Sequence, residues 1–180
     1  MTRDVLQKKQ VFKTIPFNVE KVSFTNESHP YHRLLCPNWV NILPITKNKK
    51  AVMIRQFRVG VLKEVLETPG GVVDQKDSDP ASTALRELEE ETGYKPEKLI
   101  FLGSMCSNPA IINNSISFFV GLDCELVTNR TRFPDKDEQI ETVLTSLSDL
   151  EELVAAGKVD HCLSSLCILL AKKYIAQSLI

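Results

Sequence analysis

Glu87, Glu90 and Glu91 are the residues whose type and spacing point most clearly to chemistry. If Ala81 to Thr92 is helical, residues three and four apart lie one turn from each other. Glu87 then meets both Glu90 and Glu91. Like charges so placed repel by about a few tenths of a kcal/mol per pair. The run Glu89-Glu90-Glu91 also falls in the last turns, where the helix dipole already disfavours acids. Something must offset that repulsion, and a divalent cation is the simplest candidate. Mg²⁺ prefers hard oxygen ligands, usually one or two carboxylates completed by water and phosphate oxygens; Mn²⁺ is the alternative ion. The bland alternative is a solvated acidic face.

A helix presents such carboxylates only if it is capped and seated. Asp79 suits the N-cap, Pro80 the first helical position and Gly93 the left-handed stop. Ala81, Ala84, Leu85 and Leu88 form the stripe expected to face the core. Upstream, Trp39 to Thr46 and Ala51 to Val59 read as a hairpin around Lys47-Asn48-Lys49-Lys50. Val65 to Glu67 continues the strand character into Pro69-Gly70-Gly71, and Val72 to Asp79 is a loop. Downstream come strands at Lys98 to Ser107, Ile116 to Leu126 and Ile140 to Thr145, then helices at Leu147 to Ala156 and His161 to Gln177. Leu163, Leu166, Cys167, Leu170 and Tyr174 make the buried face of the last helix. Gln10 to Pro16 and Phe17 to Phe24 suggest a small antiparallel pair, and His29-Pro30-Tyr31-His32 a surface loop. The expected class is α/β: an α/β/α sandwich with a mixed sheet over residues 39–180, plus a small N-terminal antiparallel sheet over 1–38.

The stretch from Gly71 to Tyr94 resembles the Nudix box, G-x5-E-x7-R-E-U-x-E-E-x-G-U, where U is apolar. Arg86-Glu87-Leu88-Glu89-Glu90-Glu91-Thr92-Gly93-Tyr94 matches its second half at every fixed position, with Tyr94 as the bulky last residue. The first half departs: Asp77 stands where the first Glu belongs, and eight residues rather than seven separate it from Arg86. A one-residue loop insertion between Gly71 and Pro80 accounts for this. Gln56-Phe57-Arg58, the acidic stretch Asp137-Glu138-Gln139-Ile140-Glu141 and Gly157-Lys158-Val159-Asp160 resemble the ADP-ribose pyrophosphatase-like branch, so the likeness spans about Val40 to Ile175.

The resemblance implies hydrolysis of the pyrophosphate bond of a nucleoside diphosphate sugar or ADP-ribose, releasing a nucleoside monophosphate and a sugar phosphate. It implies Glu87 and Glu91 as metal ligands, Glu90 as a further ligand or the partner of Arg86, and the Gly70 carbonyl as completing the site. Arg86 is expected to orient the carboxylates. Pyrophosphate hydrolysis needs charge neutralised on both phosphates and an activated water. Glu138 is the candidate base, on a loop able to reach that water, with Glu141 as the alternative. Arg58 suits the diphosphate, since a guanidinium engages phosphate oxygens bidentately. Gln56 accompanies it on the strand. Glu67 could contact a sugar hydroxyl or close a salt bridge. Asn108 and Asn114 could read sugar hydroxyls or a base edge, or serve only as turn residues. Trp39 is expected in the core or an interface rather than stacked on a base.

Composition narrows the field. A chain of 180 residues with 43% hydrophobic and 25% charged residues is ordinary globular material. A net charge of −1 offers no basic field for nucleic acid or an acidic membrane. The five cysteines form no C-x-x-C pair, the count is odd and Met1 to Gln10 is polar, so a reduced, cytoplasmic protein is expected. Cys162 to Ala171 is too short to span a bilayer. His29, His32 and His161 form no zinc pattern. The branch implies a homodimer built through the N-terminal strands. Two rival readings remain: a nucleoside triphosphate pyrophosphohydrolase and a non-hydrolytic nucleotide-sugar sensor.

Overall fold

The computed structural model describes residues 3–134, 136 and 138–178. Asp135 and Asp137, which flank part of the acidic stretch before Glu138, lie outside the described residues, as do Met1 and Thr2. The chain divides into two compact units.

The first unit comprises Met1–Asn38 with Met105–Ile116. Its sheet has three strands in the order β1 (Val5–Lys13), β2 (Asn18–Phe24) and β3 (Tyr31–Leu35), all antiparallel. Two elements correct the sequence reading. The first strand begins at Val5, within the stretch read only as a polar start. Tyr31 and His32 belong to β3 rather than to a surface loop. Neither strand shows alternation to read, because β1 is exposed at every position and β3 is exposed at Tyr31 and His32.

The second unit comprises Trp39–Ser104 with Ser117–Ile180. Its hairpin is β4 (Trp39–Thr46) and β5 (Lys50–Arg58), turned at Lys49 with φ 57°. Then come β6 (Lys63–Glu67), β7 (Gly70–Val72), α1 (Pro80–Thr92), β8 (Tyr94–Lys95), β9 (Lys98–Cys106), β10 (Ser115–Leu126), β11 (Ile140–Ser146), α2 (Leu150–Ala155) and α3 (Cys162–Ser178). These strands make an eight-stranded sheet with the path β11-β5-β4-β10-β8, to which β6, β7 and β9 attach through β5, β4 and β10.

Strand β4 separates the two helical layers, because successive side chains of a strand point to opposite faces. Val40 and Ile42 pack with Ala84 and Leu88 of α1 and with Phe119 in one fully buried cluster. Asn41 lies on the other face. Its Nδ2 donates to Thr68 Oγ1 (3.0 Å), and the Thr68 N–H donates to Ser164 Oγ of α3 (3.1 Å). The expected sandwich is therefore present. Burying a Leu88-sized side chain contributes about 1.5–3 kcal/mol.

Each helix presents a slightly different face from the one expected. Leu85 is 39% exposed and lies outside the core stripe, leaving Ala84 and Leu88 as its buried members. In α3 the fully buried stripe is Ser164, Cys167, Ile168 and Ala171, whereas Leu163, Leu166, Leu170 and Tyr174 are half-buried. Hydrophobicity alone could not place Ser164 inward. Its hydroxyl is there to satisfy Thr68. No helix among the described residues is long and apolar enough to cross a membrane.

Candidate active site

Helix α1 is held at both ends as its sequence demands. Asp79 Oδ1 accepts from the Ser82 N–H (2.7 Å) and Ser82 Oγ accepts from the Asp79 N–H (3.2 Å), a reciprocal cap. Gly93 closes the helix at φ 74°, its N–H donating to Glu89 O (2.9 Å). The acidic last turn is not left to repulsion. Arg130 Nη2 donates to the Glu90 carbonyl (2.6 Å), and Arg132 Nη1 lies 3.6 Å from Glu89. Protein cations therefore meet part of the demand that the sequence assigned to a metal ion. They come from a loop some forty residues away, and no local pattern announces them.

Arg86 sits at the centre of an acidic fan. Its Nη2 is 2.9 Å from Asp77 Oδ2, and its Nη1 is 2.9 Å from Glu87 Oε1 and 2.7 Å from Glu90 Oε2. Asp77 also accepts from Thr83 Oγ1 (2.9 Å). Despite its extra residue of spacing, Asp77 thus grips the box arginine, and the guanidinium holds its carboxyl below the usual range. Glu90 is the arginine's partner. Glu91 makes no salt bridge among the described residues; its Oε2 accepts the Gly70 N–H at 2.9 Å.

The glycines shape this contact. Gly70 and Gly71 pair with Asn41 and Val40 across β7 and β4. A Cβ on Gly70 would strike the Val40 carbonyl, and one on Gly71 would strike the Glu87 carboxylate. Only glycine brings backbone this close to the acids. Burial pushes Glu87 up to about 7, against the pull of Arg86, and pushes Glu91 well above the carboxylate range, against the Gly70 hydrogen bond. Two carboxylates so disfavoured as anions, one buried and one half-buried, suit a cation between them. Among the described residues no three His, Cys, Asp or Glu side chains form a ready-made metal cage. Glu87 and Glu91 fit Mg²⁺ instead, since that ion needs only one or two protein carboxylates beside substrate oxygens.

A cavity of about 280 Å³ gathers the remaining candidates. Gln56, Arg58, Gly70, Glu87, Glu91 and Glu138 line it, together with Trp39 and His161. Arg58 is already engaged: its Nε and Nη2 reach Glu67 Oε1 and Oε2 at 2.8 and 2.6 Å. Glu67 is 1% exposed, so its salt-bridge option is the one realised. Burial works to raise its pKa, but Arg58 and His161 outweigh that and bring it down to about 2. Asn108 and Asn114 belong to the first unit. Asn108 is exposed, while Asn114 is 3% exposed and spent on structure, donating to Pro37 O (2.9 Å) and bonded to Ser107. The sequence reading passed over two cavity residues. Trp39 is expected in the core or an interface, and His161 belongs to no zinc pattern. Neither has a flanking motif that would single it out.

Comparison with known proteins agrees with this geometry. Residues 38–162 match the NUDIX domain model. The chain is 31% identical to an ADP-ribose pyrophosphatase of Bacillus subtilis (strain 168), covering 86% of this chain and 84% of that one. It is 28% identical to a methanol dehydrogenase activator of Bacillus methanolicus over the same shares. A crystal structure of an ADP compounds hydrolase superposes with a TM-score of 0.85 at 22% identity, covering 99% of this chain and 96% of that one. That last likeness concerns the fold. Motif, glycine-flanked acids and family match converge, and the chain belongs to the Nudix family, as a hydrolase of phosphoanhydride bonds.

Proposed function

We propose that this protein hydrolyses the pyrophosphate bond of a nucleoside diphosphate sugar, ADP-ribose included, with Mg²⁺ held by Glu87 and Glu91. The observation that carries the reading is the pairing of half-buried Glu87 and buried Glu91 against Gly70 and Gly71, with Glu91 accepting the Gly70 N–H and making no salt bridge among the described residues. A bound Mg²⁺ would neutralise the diphosphate and make water a better nucleophile. Asp77 and Glu90 hold Arg86, which keeps Glu87 at the mouth of the site. Glu138 takes the proton as water attacks one phosphorus. The P–O–P bridge breaks, and a nucleoside monophosphate and a sugar phosphate leave. Arg58, fixed by Glu67, presents its remaining edge to the diphosphate, beside Gln56. Mn²⁺ suits the same oxygen donors.

The relative named as an ADP-ribose pyrophosphatase supports this substrate class over triphosphates and over binding without turnover. A second copy of the chain suits the first unit. Edge strand β1 is exposed throughout, with Leu6 at 70% and Phe12 at 58%. Five free thiols suit a reducing, cytoplasmic setting.

The test is a substrate panel with Mg²⁺: ADP-ribose, ADP-glucose, GDP-mannose, UDP-glucose and triphosphates, with products identified. Turnover of at least one diphosphate sugar to a monophosphate and a sugar phosphate is expected. Turnover confined to triphosphates, or none at all, contradicts it. Glu138→Gln should lower kcat by about 100-fold or more with little change in KM. An unchanged kcat would shift the base to Glu141.

A further inference from the structure

A second cavity, of about 330 Å³, shares Arg58 and His161 as walls with the glutamate cavity. His161 directly precedes α3, and its carbonyl accepts the Ser165 N–H of the first turn (2.9 Å), which fixes its backbone. One edge of its ring is bound to the protein. Nδ1 lies 3.0 Å from Ser164 Oγ and 3.4 Å from Glu67 Oε2, the same oxygen that accepts from Arg58 Nη2. Ser164 is fully buried, and its Oγ already accepts from the Thr68 N–H (3.1 Å) and the Thr68 Oγ1–H (3.2 Å). The serine's own proton therefore goes to Nδ1. A neutral ring so held carries its hydrogen on Nε2, and a charged ring carries one there as well. Nε2 has no protein partner among the described residues. The buried side-chain atoms left unpartnered among them are Asn18 Oδ1 and Trp39 Nε1, so Nε2 is not sealed in. The side chain is 27% exposed, and the edge turned away from Glu67 is the one the cavities meet.

We infer that His161 is a substrate-binding residue whose Nε2–H donates to an oxygen of the phosphate that Arg58 engages. This rests on the hydrolase reading above and adds a second donor to its diphosphate site. Glu67 is spent on Arg58, and Asp160 on Lys63, so the acids of the second lining have partners already. What the shared walls still offer is N–H groups: the free edge of Arg58 and the Nε2–H of His161. One buried carboxylate oxygen aligns both. A phosphate only accepts, and an anion strengthens each such bond.

Replacing one edge of the ring at a time separates this contact from a merely structural role. An Asn amide overlays the Nδ1 edge, whereas a Gln amide reaches the place of Nε2. With Mg²⁺ and ADP-ribose, His161→Gln should keep KM within about 3-fold of the wild type, and His161→Asn should raise it about 10-fold with kcat changed less than about 2-fold. Methylenediphosphonate, which has neither base nor sugar and is not hydrolysed, probes the phosphate contact itself. It should inhibit the wild type and His161→Gln alike, and His161→Asn about 10-fold more weakly. The reverse order, with Asn tolerated and Gln impaired, would make His161 a prop for Glu67 and overturn the assignment. Equal KM values for the two variants, or equal inhibition of all three proteins, would overturn it too. These outcomes leave the wild-type activity standing. If the wild type itself turns over no diphosphate sugar, the hydrolase reading falls and takes this one with it.

Discussion

At the scale of single residues, the two glycines before the helix separate packing from chemistry. A methyl group on Gly70 meets fixed backbone at Val40, whereas one on Gly71 first meets the side-chain end of Glu87. Gly70→Ala should therefore destabilise the fold by about 1–3 kcal/mol. Gly71→Ala should leave thermal stability nearly unchanged and still cut kcat/KM more than 10-fold, because the Glu87 carboxylate has to move. Paired melting curves and kinetics check this, and a fully active Gly71→Ala enzyme would contradict it. The ionisable residues give a second expectation. Glu67 is depressed from 4.5 to about 2, so its contribution is present above pH 4.5 and lost as pH falls through 2. That contribution is at most about 3 kcal/mol, reduced by the solvent around half-exposed Arg58. Glu87 is raised from 4.5 to about 7, so its contribution is full below pH 4.5 and lost as pH rises through 7. Urea unfolding in EDTA should show greatest stability near pH 4–5, with Mg²⁺ restoring stability above pH 6. Flat stability from pH 4.5 to 8 without metal would contradict the burial argument.

At the scale of elements, helix α1 was the most legible part of the chain. Its start, stop and acidic face follow from Asp79-Pro80, Gly93 and the glutamate spacing, all local signals. The remaining support could not be read in this way. Arg130 and Arg132 reach the last turn from a distant loop, and Ser164 turns inward for a hydrogen bond rather than for hydrophobicity. Asp77 was readable by type but not by register, and its grip on Arg86 shows that the inserted residue is absorbed by the loop. Strands β1 and β3 escaped because neither alternates between buried and exposed positions. Arg130→Ala removes a donor from the half-buried Glu90 carbonyl and should cost about 1–2 kcal/mol. Thermal or urea melting reads this directly, and no loss would show that the acidic turn needs no cation from the loop.

At the scale of the whole molecule, the larger unit carries the acids, both cavities and the sandwich. The smaller one carries an exposed apolar edge with no evident role in the chemistry. If that edge pairs with a second copy, Leu6→Lys combined with Phe12→Lys should turn a dimer into a monomer in sedimentation analysis while circular dichroism stays unchanged. A wild-type chain that sediments as a monomer at micromolar concentration would contradict the assembly and leave the site untouched.

The measurement that bears most directly on the central claim is equilibrium binding of Mn²⁺, followed by loss of the free-ion resonance signal, for the wild type and Glu91→Gln. Replacing one oxygen with an amide keeps the size and the packing. The account predicts at least a tenfold weaker affinity in the variant, with its secondary structure intact. Wild-type affinity in Glu91→Gln would mean that the buried acids of α1 do not hold the ion.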